Sequence, residues 1–404
     1  MEQWNIIKAY DYCYNVTDGT HDSPKQTEFG KYLITSKHIK DNRIDFESAY
    51  KISEDDYNKI ITRSKVDQWD IIISMIGAYC GFCCIESSKQ TDYAIKNVGL
   101  LKVGNELKCK WLYYYLTSPH GKQQLSKLRS GSSQPYISLG ALRNLDIPVP
   151  NENTMSDIVS VLSSLDSKIE LNRRINDNLE QQAQALFKSW FVDFEPFRGG
   201  EFVDSELGLI PKGWRVVSLG EVTKQITEKV GNREDVIVLS PINSGELVLS
   251  EEYFTKQVFS KDLSKYLIVN PLSFAYNPAR INIGSIGLNT FDFVGCVSPV
   301  YVVFECEPNY QYFFDFFKRT AMFKDEVALR AIGGVRQSLG YNDLSLIKTI
   351  YPTSDVVVEF NNLYLKMKEV MIKNTDQNEK FISLRDSLLP KLMSGELKIN
   401  EFNC

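Results

Sequence analysis

Long apolar runs and an excess of positive charge are both missing from this sequence. No stretch of about 18 apolar residues occurs in the 404-residue chain, so no membrane span is expected. Lys and Arg together number 46, Asp and Glu number 51, and the formal net charge is −5. A protein that coats nucleic acid through bulk charge is basic, so any nucleic-acid contact must come from local patches or a basic partner. The first residues contain no charged-then-apolar signal region, which predicts a cytoplasmic protein.

Histidine is scarce, and this limits the metal sites that the chain could build. The sequence has three histidines and eight cysteines. Cys80, Cys83 and Cys84 form the one cysteine cluster, but a zinc site would need a second pair of ligands, and none is obvious. We therefore predict no metal site, and we interpret the cysteines as free thiols that pack as small apolar side chains.

Motifs for bond chemistry are also absent. The sequence has no GxxxxGK[ST] phosphate loop, no HExxH metal motif and no GxSxG nucleophile elbow. Asn277-Pro278 begins like the Asn-Pro-Pro-aromatic motif of amino methyltransferases, but the second proline and the aromatic residue are missing. These absences predict a chain with no catalytic residues and no cofactor of its own.

What the chain does contain is an internal repeat. LRSGSSQPYISLGALRNLDIPVP begins at Leu128, and LRAIGGVRQSLGYNDLSLIKTIYP begins at Leu329. Both run from an LR pair through a polar glycine-rich loop and an SLG triplet to a hydrophobic strand. The strands end at Pro150 and Pro352, which are 202 residues apart. Self-similarity at a fixed offset indicates a duplicated structural unit.

A long helix is predicted after each of these prolines. Residues 158–191 have heptad-spaced apolar positions and contain neither proline nor glycine. Asn172 and Asn176 interrupt the apolar seam, and Asn374 and Asn378 repeat them 202 residues later. A chance amphipathic helix would not reproduce two polar residues inside its seam. The pattern predicts two helices built for coiled-coil packing, each a rod of roughly 50 Å.

The asparagines predict how the two helices pair. If the helices are antiparallel and related by a pseudo-two-fold axis, Asn172 faces Asn378. Asn176 then faces Asn374. Amides buried in a seam lower stability unless they bond one another, so these four helix-spacer residues would oppose every slipped register.

The rest of the chain divides into two mixed blocks. We predict a first mixed α/β domain at 1–150, a central helical region at 151–196, a linker at 197–212, a second mixed α/β domain at 213–352 and a C-terminal helical region at 353–404. Within the first domain we predict a turn cluster at 17–24, a buried strand at 70–77 and an aromatic helix at 110–118. In the second, we predict a strand at 297–305 and an aromatic helix at 310–323. Pro390 is expected to kink or shorten the second long helix, and Gly395 to end it.

Several segments resemble the DNA specificity subunit of type I restriction–modification enzymes. They are TDGTHDSP, LITSKHIKD, SMIG, SLGALRNLDIPVP, IELNRRINDNLEQQAQALFKSWFVDFEPF, LGLIPKGW and the terminal LRDSLLPKLMSGEL. They follow the family's order and together span nearly the whole chain. Residues 151–156 depart from the Pro-Leu-x-Glu-Gln stretch that the family often has there. The resemblance implies an α+β fold, with two similar α/β target-recognition domains separated by two long antiparallel helices in an internal pseudo-two-fold repeat.

The same resemblance implies a division of labour. Each domain would read one half of a split, asymmetric sequence in double-stranded DNA. Two methyltransferase subunits would bring S-adenosylmethionine and flip the target adenine. A restriction and translocase subunit would bring ATP and Mg, so this chain itself would need no cofactor.

The candidate DNA contacts lie in the glycine-rich loops, in the matching motifs and in one turn. Small residues let the backbone approach a ligand, Arg and Ser donors suit phosphate, and Gln and Arg can also read base edges. The candidates are Thr17, Thr20, His21, Lys37, Arg129, Ser132, Gln134, Asn277, Arg280, Arg330, Arg336 and Gln337.

The two blocks differ in charge, which bears on what each could recognise. Residues 1–150 carry a net charge of +2 and residues 201–352 a net charge of −3. They would therefore not be expected to bind the same DNA sequence. Two alternatives remain open: a specificity subunit for another type of methylating nuclease, and a coiled-coil adaptor that binds no DNA.

Overall fold

The computed structural model describes residues 4–40, 42–131, 134–254, 256, 259–331 and 338–399. The chain separates into two compact units. Unit 1 comprises Met1–Arg173 and Asn374–Cys404, and unit 2 comprises Arg174–Lys373. In the part of the chain that is described, no helix is both long enough and apolar enough to cross a bilayer.

The α/β part of unit 1 is built from short strands and five helices. The strands are β1 (Asn5–Lys8), β2 (Asn15–Asp18), β3 (Lys31–Thr35), β4 (Ile39–Lys40), β5 (Arg43–Ile44), β6 (Lys51–Ile52), β7 (Asp70–Ser74), β8 (Cys83–Ile85), β9 (Tyr93–Lys96), β10 (Val98–Lys102) and β11 (Asp146–Val149). The helices are α1 (Ala9–Tyr12), α2 (Glu54–Ser64), α3 (Glu106–Thr117), α4 (Pro119–Lys127) and α5 (Leu139–Arg143).

A four-stranded antiparallel sheet in the order β2-β10-β7-β8 forms the centre of unit 1. Every residue of β7 is buried, which explains its nearly continuous run of isoleucines. Ile71 and Ile73 pack in the core that contains Trp111 of α3, and Ile72 packs in a second core on the other face. A smaller sheet, β6-β3-β9, contains the parallel pair β3 and β9, and its Ile34 and Ile95 pack in the same core as Ile72.

The α/β part of unit 2 has a similar inventory. Its strands are β12 (Phe202–Ser205), β13 (Gly208–Pro211), β14 (Arg215–Ser218), β15 (Thr223–Ile226), β16 (Ile237–Pro241), β17 (Leu247–Leu249), β18 (Leu267–Val269), β19 (Phe274–Tyr276), β20 (Ile286–Leu288), β21 (Gly295–Val297), β22 (Val302–Cys306) and β23 (Lys348–Tyr351). Its short helices are α7 (Leu219–Val222), α8 (Ser250–Tyr253), α9 (Gln311–Phe317), α10 (Ala321–Arg330) and α11 (Tyr341–Leu344). The two long helices of the chain are α6 (Glu152–Phe191) and α12 (Ser354–Met393).

The strand topology confirms the internal repeat. The sheet β15-β22-β19-β20 of unit 2 has the order of β2-β10-β7-β8 in unit 1. The parallel pair β16 and β21 corresponds to β3 and β9, and the antiparallel pair β14 and β23 corresponds to β1 and β11. Unit 2 adds strand β18 to its second sheet. The predicted α+β class with two similar α/β domains is therefore confirmed.

The long helices α6 and α12 each contain 40 residues and each contribute to both units. They pair antiparallel within each unit. In unit 1, Arg385 Nη1 of α12 donates to Asp166 Oδ1 of α6 at 2.9 Å. In unit 2, the rings of Phe187 and Phe360 lie 5.8 Å apart between centroids.

The start of α6 and the last turn of α12 differ from the prediction. Helix α6 begins at Glu152 rather than at 158, because the Asn151 side chain accepts a hydrogen bond from Thr154 N at 2.9 Å and caps the helix. Helix α12 continues through Pro390 to Met393, so the expectation that this proline shortens it was wrong. Buried apolar side chains in the last turn, such as Leu392, offset the missing N–H. Gly395 follows with a φ of 72°, which confirms it as the stop.

Four smaller predictions need correction. The turn cluster at 17–24 starts only after Asp18, because β2 pairs with β10 up to that residue. The aromatic helix at 310–323 is two helices, since Thr320 caps α10 by accepting from Phe323 N at 3.3 Å. The strand predicted at 297–305 begins at Val302. The linker at 197–212 contains the β12–β13 hairpin.

Seven of the eight cysteines lie in the described part, and all seven are buried free thiols, as predicted. Burial raises the pKa of the Cys13 and Cys83 thiols to about 12, so very little thiolate forms at neutral pH. A Cys404→Ser variant should therefore react with a thiol reagent only after denaturation. Labelling of any thiol within minutes under native conditions would contradict this packing, and the same variant in guanidinium gives the full count as a control.

Candidate nucleic-acid interface

Two segments singled out in the sequence, TDGTH and SMIG, follow strands that end at the same edge of the central sheet of unit 1. Asp18 in β2 and Ile73 in β7 pair with Gly99 of β10 from opposite sides. The two strands run in the same direction and lie about 10 Å apart, since neighbouring strands are about 4.8 Å apart. The TDGTH segment after β2 and the SMIG segment after β7 therefore emerge side by side.

Two backbone segments approach each other closely at this edge. A Cβ on Gly19 would lie 2.3 Å from the Ile95 carbonyl oxygen, so only glycine lets the chain pass β9 here. Thr20 then forms a parallel bridge with Lys96. Ser36 Oγ donates to the Asn97 carbonyl at 3.0 Å and brings in the short 3-10 helix Ser36–His38, which carries exposed Lys37. Thr20, His21 and Lys37 thus lie around Lys96 and Asn97.

The side chains of Thr17 and His21 are less available for a ligand than the sequence suggested. Thr17 is inside β2 and only 8% exposed. His21 has an exposed ring, but both of its nitrogens have partners: Nε2 lies 3.0 Å from Asp18 Oδ2, and Nδ1 lies 2.9 Å from Asn97 Oδ1. In this structure His21 ties the loop to the sheet edge and offers no unbonded ring nitrogen.

The glycine-rich loop of unit 1 is held against the segment that follows β7. Ile137 N donates to the Met75 carbonyl at 2.9 Å, and the Arg129 guanidinium donates to the Cys80 carbonyl. Gln134 is exposed, and its role as a DNA contact stays a prediction. Ser132 lies outside the described residues.

Two exposed aromatic rings flank this loop and were missed by the sequence reading. Tyr136 is 45% exposed and forms bridges with Ser130 and Ile76, and Phe82 is 48% exposed. Their sequence signal is weak, because Phe82 lies among buried cysteines and Tyr136 lies within a repeat element whose other apolar residues form the core.

Unit 2 presents an equivalent sheet edge with different side chains. Ile226 of β15 and Ala275 of β19 pair with Val303 of β22 from opposite sides. The segment after β19 carries Asn277 and exposed Arg280. Asn277 Oδ1 accepts from Ala279 N at 3.0 Å, so this side chain shapes the turn that presents Arg280.

The second glycine-rich loop ends like the first but starts differently. Leu339 N donates to the Pro278 carbonyl at 3.0 Å, the counterpart of the bond from Ile137 to Met75. Arg330, at the end of α10, donates to Glu326 Oε2 at 2.8 Å and 3.1 Å, so its charge is already paired. Arg336 and Gln337 lie outside the described residues and stay predictions.

The helix-spacer asparagines were also located. Asn172 Nδ2 donates to Asn378 Oδ1 at 3.0 Å, and both side chains are buried in unit 1. In unit 2, Asn176 Nδ2 donates to the Met371 carbonyl at 3.0 Å. Asn176 and Asn374 belong to different units, so their pairing stays a prediction.

Both sheet edges expose hydrogen-bond donors. They expose guanidinium, ammonium and amide groups, which can donate to phosphates and to base edges. In the described ranges, no group of three or more His, Cys, Asp or Glu residues is placed to hold a metal ion.

Comparison with known proteins gives a consistent set of similar proteins. Residues 2–181 match the model of the type I restriction modification DNA specificity domain. Residues 2–181 therefore form a type I restriction modification DNA specificity domain. The type I restriction enzyme MjaIX specificity subunit of Methanocaldococcus jannaschii is 26% identical over 303 residues, covering 72% of this chain and 70% of that protein. The HindI specificity subunit of Haemophilus influenzae is 25% identical over 352 residues, covering 68% and 74%.

A solved specificity-subunit structure has the same fold. The crystal structure of the type I restriction-modification system S subunit from M. genitalium superposes with a TM-score of 0.53 and covers 96% of each chain. Its sequence identity with this chain is 15%, so the likeness concerns the fold alone.

Proposed function

We propose that this chain is the sequence-reading subunit of a type I restriction–modification enzyme and that each unit reads one half of a bipartite DNA target. The repeated sheet edge is the observation that carries the proposal. In both units, two loops leave the central sheet at the same edge. The segment after β7 in unit 1 and the segment after β19 in unit 2 each accept a backbone hydrogen bond from the end of a glycine-rich loop. The chain therefore has two copies of one binding architecture.

The side chains at the two edges support an asymmetric target. Unit 1 presents Lys37, Lys96 and Gln134, whereas unit 2 presents Arg280 beside the Asn277 turn. Lys and Arg suit phosphate oxygens, and Arg and Gln can also bond base edges in the major groove. Two edges with different donors would select two different half-sites, so the target would not be a palindrome.

The chemistry would belong to other subunits. Two methyltransferase subunits would supply S-adenosylmethionine and act on a flipped adenine, and a restriction and translocase subunit would supply ATP hydrolysis with Mg, all in the cytoplasm. Apolar side chains on the outside of the long helices support protein docking: Leu171 is 55% exposed, Leu365 is 42% exposed and Ile372 is 53% exposed.

Salt-dependent DNA binding tests the proposal. The chain assembled with its methylating partner should bind a duplex containing its target, and log K should fall linearly with log salt concentration as counterions are released. The partner alone is the control. A coiled-coil adaptor would add no DNA affinity to the partner, and that result would contradict the proposal.

The isolated chain should bind no S-adenosylmethionine. It has no cofactor motif, and we assign the cofactor to the methylating subunits. Calorimetric titration of the chain alone should give only the heat of dilution, and the assembled complex provides the positive control. Stoichiometric binding by the chain alone would refute the assignment.

Replacing Arg129 should weaken DNA binding by the assembled complex. If Arg129 contacts phosphate, the loss should be similar on all sequences and the salt slope should fall by about one. If it contacts a base, discrimination should drop by about 1–3 kcal/mol. Lys127→Ala removes an exposed charge two residues earlier and is the matched control. Unchanged affinity in Arg129→Ala would leave the loop as an ordinary turn; Arg336→Ala is the equivalent test in unit 2.

A further inference from the structure

We infer that Arg63 determines specificity within the half-site read by unit 1, and that buried Asp18 is its positioning residue. Neither residue was predicted to act at the site, and the inference rests on the proposed function. It concerns α2, which contributes none of the segments that resemble the family.

Arg63 is held at the sheet edge by one of its nitrogens. Nη2 donates to the carbonyl oxygens of Gly19 at 2.7 Å and Asp18 at 3.2 Å, and it lies 3.4 Å from Asp18 Oδ1. Asp18 is 6% exposed, whereas the Arg63 side chain is 56% exposed. The base of the guanidinium is thus fixed while its outer face is open to solvent.

The fixed guanidinium keeps donors for a ligand. Among the described residues, every contact of Arg63 within hydrogen-bonding or ion-pairing distance uses Nη2, so Nε and Nη1 have no protein partner. Nη1 carries two N–H donors, so this one nitrogen can donate to O6 and N7 of guanine in the major groove, as a lysine ammonium does. Lys37 and Lys96 lie on the neighbouring elements and could engage the phosphates beside that base.

Asp18 holds Arg63 and His21 together. Its Oδ2 lies 3.0 Å from His21 Nε2, and its Oδ1 has no partner in the described structure other than the 3.4 Å ion pair with Arg63. An almost fully buried carboxylate with an incompletely bonded oxygen attracts the guanidinium and limits its rotamers. This pre-organisation lowers the entropy lost when Arg63 contacts a base.

Unit 2 lacks this arrangement. Ile226 stands at the end of β15, where Asp18 stands at the end of β2, and it pairs with Val303 as Asp18 pairs with Gly99. An isoleucine cannot anchor a guanidinium. Substitutions at Arg63 and Asp18 should therefore affect one half of the target only.

The test uses the assembled methylating complex and a DNA library with both half-sites randomised, and it reads out which molecules become methylated. Arg63→Lys keeps the charge but has a single nitrogen, which cannot both hold the Gly19 and Asp18 carbonyls and donate to a base, so preference for guanine at one position should fall about tenfold. Asp18→Asn keeps the size and should relax the same position less strongly. Preferences in the other half-site should stay unchanged.

Lys59→Ala, an exposed charge one turn earlier on α2, is the matched control and should leave the preferences as in the wild type. A uniform loss on all sequences in Arg63→Ala, with a smaller salt slope, would make Arg63 a phosphate contact and overturn the inference. Unchanged preferences in Arg63→Lys and Arg63→Ala would also overturn it. A wild-type complex with no preference in either half-site would instead contradict the proposed function itself.

Discussion

Asp315→Ala should destabilise unit 2 by about 3–5 kcal/mol, because it leaves a buried ammonium group without its counter-ion. Asp315 Oδ1 lies 2.7 Å from Lys318 Nζ, and the lysine side chain is 4% exposed. The carbonyl oxygens of Gly245 and Ile286 accept from the same Nζ at 2.6 Å and 3.1 Å, but they carry no full charge. Denaturant unfolding of the variant and the wild type measures the difference.

The loss of stability caused by Asp315→Ala should become smaller as the pH rises. Burial lowers the pKa of Lys318 below its usual value, so the folded state releases the proton more readily than the unfolded state. Between the two pKa values the unfolded state binds more protons, and stability rises with pH. The defect of Asp315→Ala should therefore shrink as the pH approaches the usual lysine value of about 10.4.

Two control variants sharpen the Asp315 experiment. Asp325→Ala removes an exposed carboxylate from α10 and should change stability by less than about 0.5 kcal/mol. Lys318→Met should cost less than Asp315→Ala, because Asp315 keeps its 2.8 Å ion pair with Arg319. Equal stability of Asp315→Ala and Asp325→Ala would contradict the buried pair.

Asn378→Leu should destabilise unit 1 by about 1–3 kcal/mol, since it leaves the buried Asn172 amide without its best partner. The remaining acceptors for Asn172 Nδ2, Gln377 Oε1 and the Asn374 carbonyl, lie at 3.3 Å and 3.5 Å. The double variant with leucine at both positions should be closer to the wild type than either single variant, because an apolar pair leaves no unsatisfied amide. Thermal unfolding of the four proteins gives the coupling energy directly.

The matched control for the asparagine pair is Asn362→Leu, which replaces an exposed asparagine on α12. It should lie within about 0.5 kcal/mol of the wild type. Strictly additive effects in the double variant would show that Asn172 and Asn378 do not bond one another in solution.

The parts of the fold that could be predicted are those with a local or repeated signal. Asn172 and Asn378 could be paired from the sequence because the repeat offset and the heptad spacing together define a register. The ends of the helices could not be predicted in the same way. Helix α6 starts early because of a single cap at Asn151, and α12 outlasts Pro390 because the last turn packs against a core assembled from distant segments.

The candidate site was predicted less completely, because it depends on pairings between distant strands. Thr20, His21 and Lys37 were chosen from motifs, but what each can do depends on Asn97, which reaches them through the parallel pairing of β3 and β9. Arg63 carried no signal at all, since an arginine in the last turn of a helix is ordinary at sequence level. Only the structure shows that it lies beside Asp18.

The central claim is that two similar units read two different half-sites, and mapping methylated adenines tests it most directly. Genomic DNA without prior methylation would be treated with the assembled complex and sequenced by a method that detects N6-methyladenine. The account predicts one motif made of two short, non-identical parts separated by a spacer of fixed length and free sequence. Methylation at a single continuous motif, at a palindrome, or at adenines that share no motif would contradict it.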